Sequence, residues 1–179
     1  MPVWSAAEAR RLLQDQPQRL RHSEAVAGQA KSVARVIDPA QGRLLVSAAY
    51  LHDIGYAASL DVTHFHPLDG ARYLASVGLL PVARLVANHS GATVEAGLRG
   101  LADQLAEFDQ EPSAALDALT FCDLTLDSAG EPISVDERLK EVRRFYGPRH
   151  VVVKALDVAE EELRGAVART EQRLGSSVH

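Results

Sequence analysis

One cysteine, Cys122, is present in 179 residues. A single thiol excludes an intramolecular disulfide and any cysteine-rich zinc site, so a metal held by this chain needs histidine and carboxylate ligands. Aromatics are scarce, at 5%. No stretch approaches the ~20 apolar residues that span a bilayer. Residues 1–7 lack the basic stretch and apolar run of a signal peptide. No run rich in Lys or Arg occurs, the net charge is -5, and both signs are mixed along the chain. Composition therefore gives no reason to expect a nucleic-acid groove. The expectation is a cytoplasmic protein with neither a membrane nor a nucleic acid as partner.

Ala, Leu and Val dominate the 46% of apolar residues. Small and aliphatic side chains suit helices that approach closely, so the expected fold class is all-α, a compact multi-helix bundle. The length fits a single domain over residues 1–179. Ser5-Ala-Ala-Glu8 reads as a capping box opening a helix to about residue 16. Helices are expected over about 17–37, stopped by Asp38-Pro39, and over about 41–52. Residues 57–67 are irregular. Further helices are expected over 68–77, 81–89, 99–108 and 114–126. A second capping box, Ser134 with Glu137, starts a helix to Tyr146, and Gly147-Pro148 turns into a last helix over 148–174. No segment alternates as a strand does.

Helix phase carries the functional signal. Residues three or four apart share a helix face. His22 falls in phase with Val26, Val33 and Ile37, and His52 with Leu45, Ala48 and Ala49. His89 follows Val82, Leu85 and Val86, and Asp123 follows Leu116 and Leu119. Four polar side chains on four helices thus point at the core. Burying a carboxylate alone costs several kcal/mol, so such groups pair or bind metal. Each residue alone reads as a hydrogen-bonded core group. Together, with the adjacent doublet His52-Asp53 closing an apolar helix, they read as a metal site.

The ordered set Arg21-His22-Ser23, Leu51-His52-Asp53-Ile54-Gly55, His66-Pro67-Leu68-Asp69-Gly70-Ala71, Asn88-His89-Ser90-Gly91 and Cys122-Asp123-Leu124 resembles the HD-domain superfamily of metal-dependent phosphohydrolases. The resemblance covers a motif region over 22–123 and leaves a C-terminal helical extension over 134–174. It implies that His22, His52, Asp53 and Asp123 bind one divalent ion, and that His66 and His89 complete a second site. His64, two residues before His66, is a rival for that place. His150 and His179 are given no chemistry.

By the same resemblance the chain is a phosphomonoesterase or phosphodiesterase for a small phosphorylated molecule, with a nucleotide as first choice. Mn, Fe, Co, Ni, Zn or Mg all suit such ligands, as one ion or two. A divalent ion delivers hydroxide near neutral pH. Asp53, His66 and His89 are the expected catalytic residues. Arg21 and Arg72 are the expected phosphate contacts, with Lys31 a more distant candidate, and the loop over 57–64 is the expected place of substrate selection. Two alternatives stay open: a non-catalytic regulatory module that binds metal, and a diiron oxygenase of the same fold. A homo-oligomer is compatible with the apolar stripe of the last helix.

Overall fold

The computed structural model describes residues 1–109 and 111–176, which leaves His179 outside the described residues. Helices α1 (Pro2–Leu12), α2 (Pro17–Val33), α3 (Pro39–Leu51), α4 (His66–Ser76) and α5 (Leu80–Asn88) each carry a proline in the first turn. There the missing N–H leaves no bond unmade and the fixed φ suits a helix. Several boundaries move accordingly. Pro2 opens α1, so the capping box expected at Ser5 is not formed. Ser5 instead donates to the Met1 carbonyl, and the buried Glu8 accepts from Arg11 and Tyr73. α2 ends at Val33, not Ile37, in turns closed by Arg35 and Val36 N–H groups. Asp38 caps α3 by accepting from the Ala40 and Gln41 N–H groups, so that helix starts at Pro39.

One helix was not expected from the pattern. α6 (Ala92–Arg99) lies between Gly91 and Gly100, whose φ values of 81° and 71° mark left-handed backbone at both ends. The expected helix over 99–108 is reduced to α7 (Ala102–Leu105) and a 3-10 turn, Ala106–Phe108. α8 (Ala114–Leu124) stops before an isolated bridge between Leu126 and Pro132. The Ser134–Glu137 capping box does open α9 (Val135–Tyr146), and α10 (Val151–Ser176) is the last of the described helices. No strand occurs among the described residues, and none of their helices is long and apolar enough to cross a membrane.

α2, α3 and α8 pack on one another, α4 pairs with α5, α5 rests on α3, and α10 lies along α8 and α6. Ala27 and Ala30 of α2, Ala48 and Ala49 of α3 and Ala118 of α8 are fully buried where these helices meet. Small side chains there let the backbones approach. Val26, Leu45 and Leu119 fill the remaining space, each stabilising the fold by roughly 1.5–3 kcal/mol through burial. Into this same interior the helices carry their polar residues.

Candidate metal centre

His22, His52, His89 and Asp123 retain 4%, 1%, 3% and 8% of their surface exposed. At such burial each needs a partner. His52 is the C-cap of α3, His89 the C-cap of α5, and Asp123 stands in the last turn of α8. His22 is in the second turn of α2, and His66 is the first residue of α4.

The rings are fixed from behind. His22 Nδ1 donates to the Asp127 carbonyl (2.8 Å), His52 Nδ1 to Ala49 (2.9 Å) and His89 Nδ1 to Val86 (2.6 Å). A carbonyl oxygen only accepts, so each Nδ1 holds a proton and each Nε2 faces the centre. This is how metal-bound histidines are commonly oriented. His52 Nε2 is buried with no hydrogen-bond partner among the described residues.

The Nε2 atoms and carboxylates form two groups, His22 with His52 and Asp123, and Asp53 with His66 and His89. Within each group the ligand atoms lie within 4.8 Å of one another. His22 Nε2 is 3.0 Å and His52 Nε2 3.9 Å from Asp123 Oδ1. Asp53 Oδ1 is 3.7 Å from His52 Nε2 and 3.5 Å from His66 Nε2, and the His66 and His89 Nε2 atoms are 3.3 Å apart. Ligands about 2.1 Å from a tetrahedral ion stand roughly 3.4 Å from each other. The donor set and the bare His52 nitrogen therefore fit a divalent cation.

Charge is already distributed for one. Burial would raise the Asp53 and Asp123 carboxyls, but the surrounding histidines, with Arg19 for the first and Arg138 for the second, hold both below the usual range. Burial pushes the His52 and His66 rings down, against the pull of the carboxylates. His22 also feels burial, yet its bond to Asp123 raises it, as a ring donating at both nitrogens should be. A bound cation would take the place of that Nε2 proton.

Supporting groups come from beyond the ligands. Arg19 Nη1 donates to Asp53 Oδ2 at 2.8 Å, which leaves Oδ1 facing the histidines. Its guanidinium also lies 3.4 Å from the Tyr56 ring centroid, and Tyr56 stacks on His66 at 4.0 Å. Ser90, at φ 49° and ψ 40°, donates to Asp123 Oδ2 at 2.5 Å. Left-handed backbone costs a non-glycine residue about 1 kcal/mol or more, and this bond is the contact that the conformation secures.

Gly55 sets the height of the centre. A Cβ there would stand 2.0 Å from the His66 carbonyl oxygen and 2.8 Å from the Gly70 nitrogen. Only glycine lets the 3-10 turn Ile54–Tyr56 lie against the first turn of α4 and bring His66 to Asp53. Gly55→Ala is expected to lower stability by about 1–3 kcal/mol, the usual cost of overpacking, read as a lower urea midpoint at unchanged slope. An unchanged midpoint would show that the turn has room to move.

The HD domain family model matches residues 19–126, more than half of the chain. The chain belongs to the HD-domain family. Nothing matches among curated proteins or among solved structures. The family is generally one of metal-dependent hydrolases, and all six residues assigned as ligands in this HD domain meet in one place.

The other assignments divide. His64 is exposed, at φ 57°, and pairs with Asp61 at 3.0 Å, so it does not reach the centre. Arg21 is exposed, Arg72 donates to Gln104, and Lys31 donates to Tyr50. A cleft of about 530 Å³ opens on the centre. His22, Asp53, Arg19 and Arg138 line it, together with Gln16, Gln18, Ser128 and the α9 residues Glu141, Val142, Phe145 and Tyr146. Arg21, Arg72, Lys31 and the loop over 57–64 do not line it. Asp69 instead pins that loop, accepting from the Val62 and Thr63 N–H groups and the Thr63 hydroxyl. Arg19 had a signal in the sequence, since it precedes His22 by three residues and shares its face. Arg138 had none.

Proposed function

We propose that this HD domain is a metal-dependent phosphohydrolase acting on a small phosphorylated molecule, with a nucleotide as the first candidate. The observation that supports it is the lining of the cleft. One ligand of each triad, His22 and Asp53, opens onto it beside two guanidinium groups, Arg19 and Arg138. Ligands for cations and donors for anions in one concavity suit a phosphate ester better than a neutral substrate.

A divalent ion, when bound, supplies a water of lowered pKa and positive charge against a phosphoryl oxygen. His22, His52, Asp53 and Asp123 would hold one ion, and His66 and His89 with Asp53 a second. The rest falls to the chain. Arg138 donates to Glu141 (2.6 Å), stands 3.8 Å from Asp123 and lines the cleft. It is the group best placed to donate to a phosphoryl oxygen. Arg19 fixes Asp53 and leaves Oδ1 facing the histidines, where it would orient a water supplied by the ion. With a single ion, His66 and His89 are left to hydrogen-bond the phosphoryl group or the leaving oxygen. The phosphate contacts pass from Arg21 and Arg72 to Arg19 and Arg138. The ligands alone do not separate this reading from the diiron oxygenase. The two arginines favour an anion, and oxygen uptake by the iron-loaded protein would reverse that preference.

The test is phosphate release from a panel of mono- and diesters by protein loaded in turn with each divalent ion. Charge-assisted hydrogen bonds contribute about 1.5–3 kcal/mol, so Arg138→Ala is expected to raise KM roughly tenfold to a hundredfold at unchanged metal content. A metal-loaded chain that releases phosphate from no ester would sink the hydrolase reading.

A further inference from the structure

The cleft is larger than a phosphate group needs, and one of its walls is not part of the matched family segment. α9 begins at Val135, beyond residue 126, where the family match ends. From it Arg138, Glu141, Val142, Phe145 and Tyr146 reach the cleft. They are spaced i, i+3, i+4, i+7 and i+8, so they form one stripe along a single helix face. Arg138 lies at the end near Asp123 and Phe145 two turns further along the helix, while Tyr146 hydrogen-bonds Tyr56 beside Arg19.

Phe145 is 79% exposed on a helix otherwise dense in charge. An isolated exposed aromatic is ordinary on a protein surface. This one is held in place. Its ring meets Tyr146 edge to face at 4.9 Å and 83°, and Tyr146 stacks on His150 at 4.7 Å. In an edge-to-face pair the rim of one ring meets a face of the other, and at 79% exposure Phe145 keeps a face open to solvent. The half-buried Tyr146 is braced by His150 from the start of the next helix, so the pair is supported from behind.

From these features we infer that Phe145 and Tyr146 form a stacking subsite for a planar ring carried by the leaving group of the substrate. The inference rests on the hydrolase reading above and adds the residues that select among phosphate esters. Spacing gives the shape of the ligand. At 1.5 Å per residue, Arg138 and Phe145 are separated by about 10 Å along the α9 axis. A ring bonded directly to phosphate is too short to engage both ends of the stripe. A ring joined through a spacer about the size of one sugar fits. The volume of about 530 Å³ falls within the range that accommodates ligands of this size. Gln16 and Gln18 stand in the same cleft, their amide nitrogens donating to the Tyr56 carbonyl and the Ser128 hydroxyl, which leaves their oxygens as acceptors for the ring edge or the spacer.

The experiment compares a nucleoside 5′-monophosphate with ribose 5-phosphate, which shares its phosphate and sugar and lacks the ring. The protein is the full chain, metal-loaded, as wild type, Phe145→Ala and Phe145→Tyr. Phe145 is exposed, so the variants are expected to fold, and matching melting curves check it. Aromatic stacking on a nucleobase contributes enough that Phe145→Ala should lower the ratio of kcat/KM for the two esters about tenfold. Phe145→Tyr, which keeps a ring, should restore it. An unchanged ratio in Phe145→Ala overturns the subsite while leaving the hydrolase intact. If the wild type hydrolyses neither ester, the hydrolase reading stands or falls on the wider ester panel, and calorimetric titration of both compounds decides the subsite. Tighter binding of the ring-bearing ester that is lost in Phe145→Ala supports it, and equal binding of the two overturns it.

Discussion

Asp53→Ala is expected to empty the centre of metal and to lower phosphate release by on the order of a thousandfold or more, since both the nucleophile and the charge on the phosphoryl group depend on the ion. Asp53 has this weight because its Oδ1 faces histidines of both triads, 3.7 Å from His52 and 3.5 Å from His66. Asp123 cannot take its place, since it is engaged by His22 and Ser90. The substitution also strands Arg19, whose ion pair with Asp53 is 2.8 Å long. Arg19 keeps 30% of its side chain exposed, so water offsets part of the loss, and the stability cost should stay near 1–3 kcal/mol. Asp53→Asn keeps the shape and spares the packing. Elemental analysis and phosphate release on wild type and both variants test the point. Full metal content in a folded Asp53→Ala would remove this residue from the ligand set.

Chelation gives the second large effect, and it is read in stability. The ligands come from α2, the end of α3, the start of α4, the end of α5 and the last turn of α8, so only the folded chain offers them together. An ion that binds the native state alone stabilises it by about 4 kcal/mol when its free concentration is a thousandfold above Kd. For a chain of this length each kcal/mol moves Tm by roughly 2–4 °C, so removing the ion should lower Tm by about 8–16 °C. His52→Ala removes the most buried ligand, and its Tm should not respond to the chelator. A wild-type protein that loses measured metal with no change in Tm would place the ion elsewhere, on the surface.

The part of the centre that was legible in the sequence came from periodicity. His22, His52, His89 and Asp123 stand at helical spacing from Val26, Ala48, Val86 and Leu119, and burial follows from that spacing. His66 could not be separated from His64 in this way, because residues 57–65 carry no periodic pattern. What decides between them is that His66 begins α4 while His64 turns outward to Asp61. Arg21 looked like a phosphate contact because it adjoins His22. A step of one residue turns about 100° around a helix, so adjacency carries it off the face that Arg19, three residues before, shares with His22. α6 was missed because Gly91 read as the stop after His89 and Gly100 was placed inside a helix over 99–108, whereas the two glycines cap α6 at its ends. Arg138 is an error of a different kind. It meets Asp123 only because α9 folds back over the end of α8, and no local pattern encodes that return.

The way the helices meet has a consequence for the order of binding. α3, α5 and α8 all end at the centre, with His52, His89 and Asp123 in or just beyond their last turns, and only α4 begins there. The C-terminus of a helix carries about half a negative charge from its aligned peptide dipoles. Backbone alone therefore makes the locus negative before Asp53 and Asp123 are counted. It attracts a cation and repels an anion, so a phosphate ester should gain a foothold only after the ion has reversed the local potential. The affinity for inorganic phosphate should accordingly rise with metal loading, so that the apo protein binds it far more weakly than the loaded one.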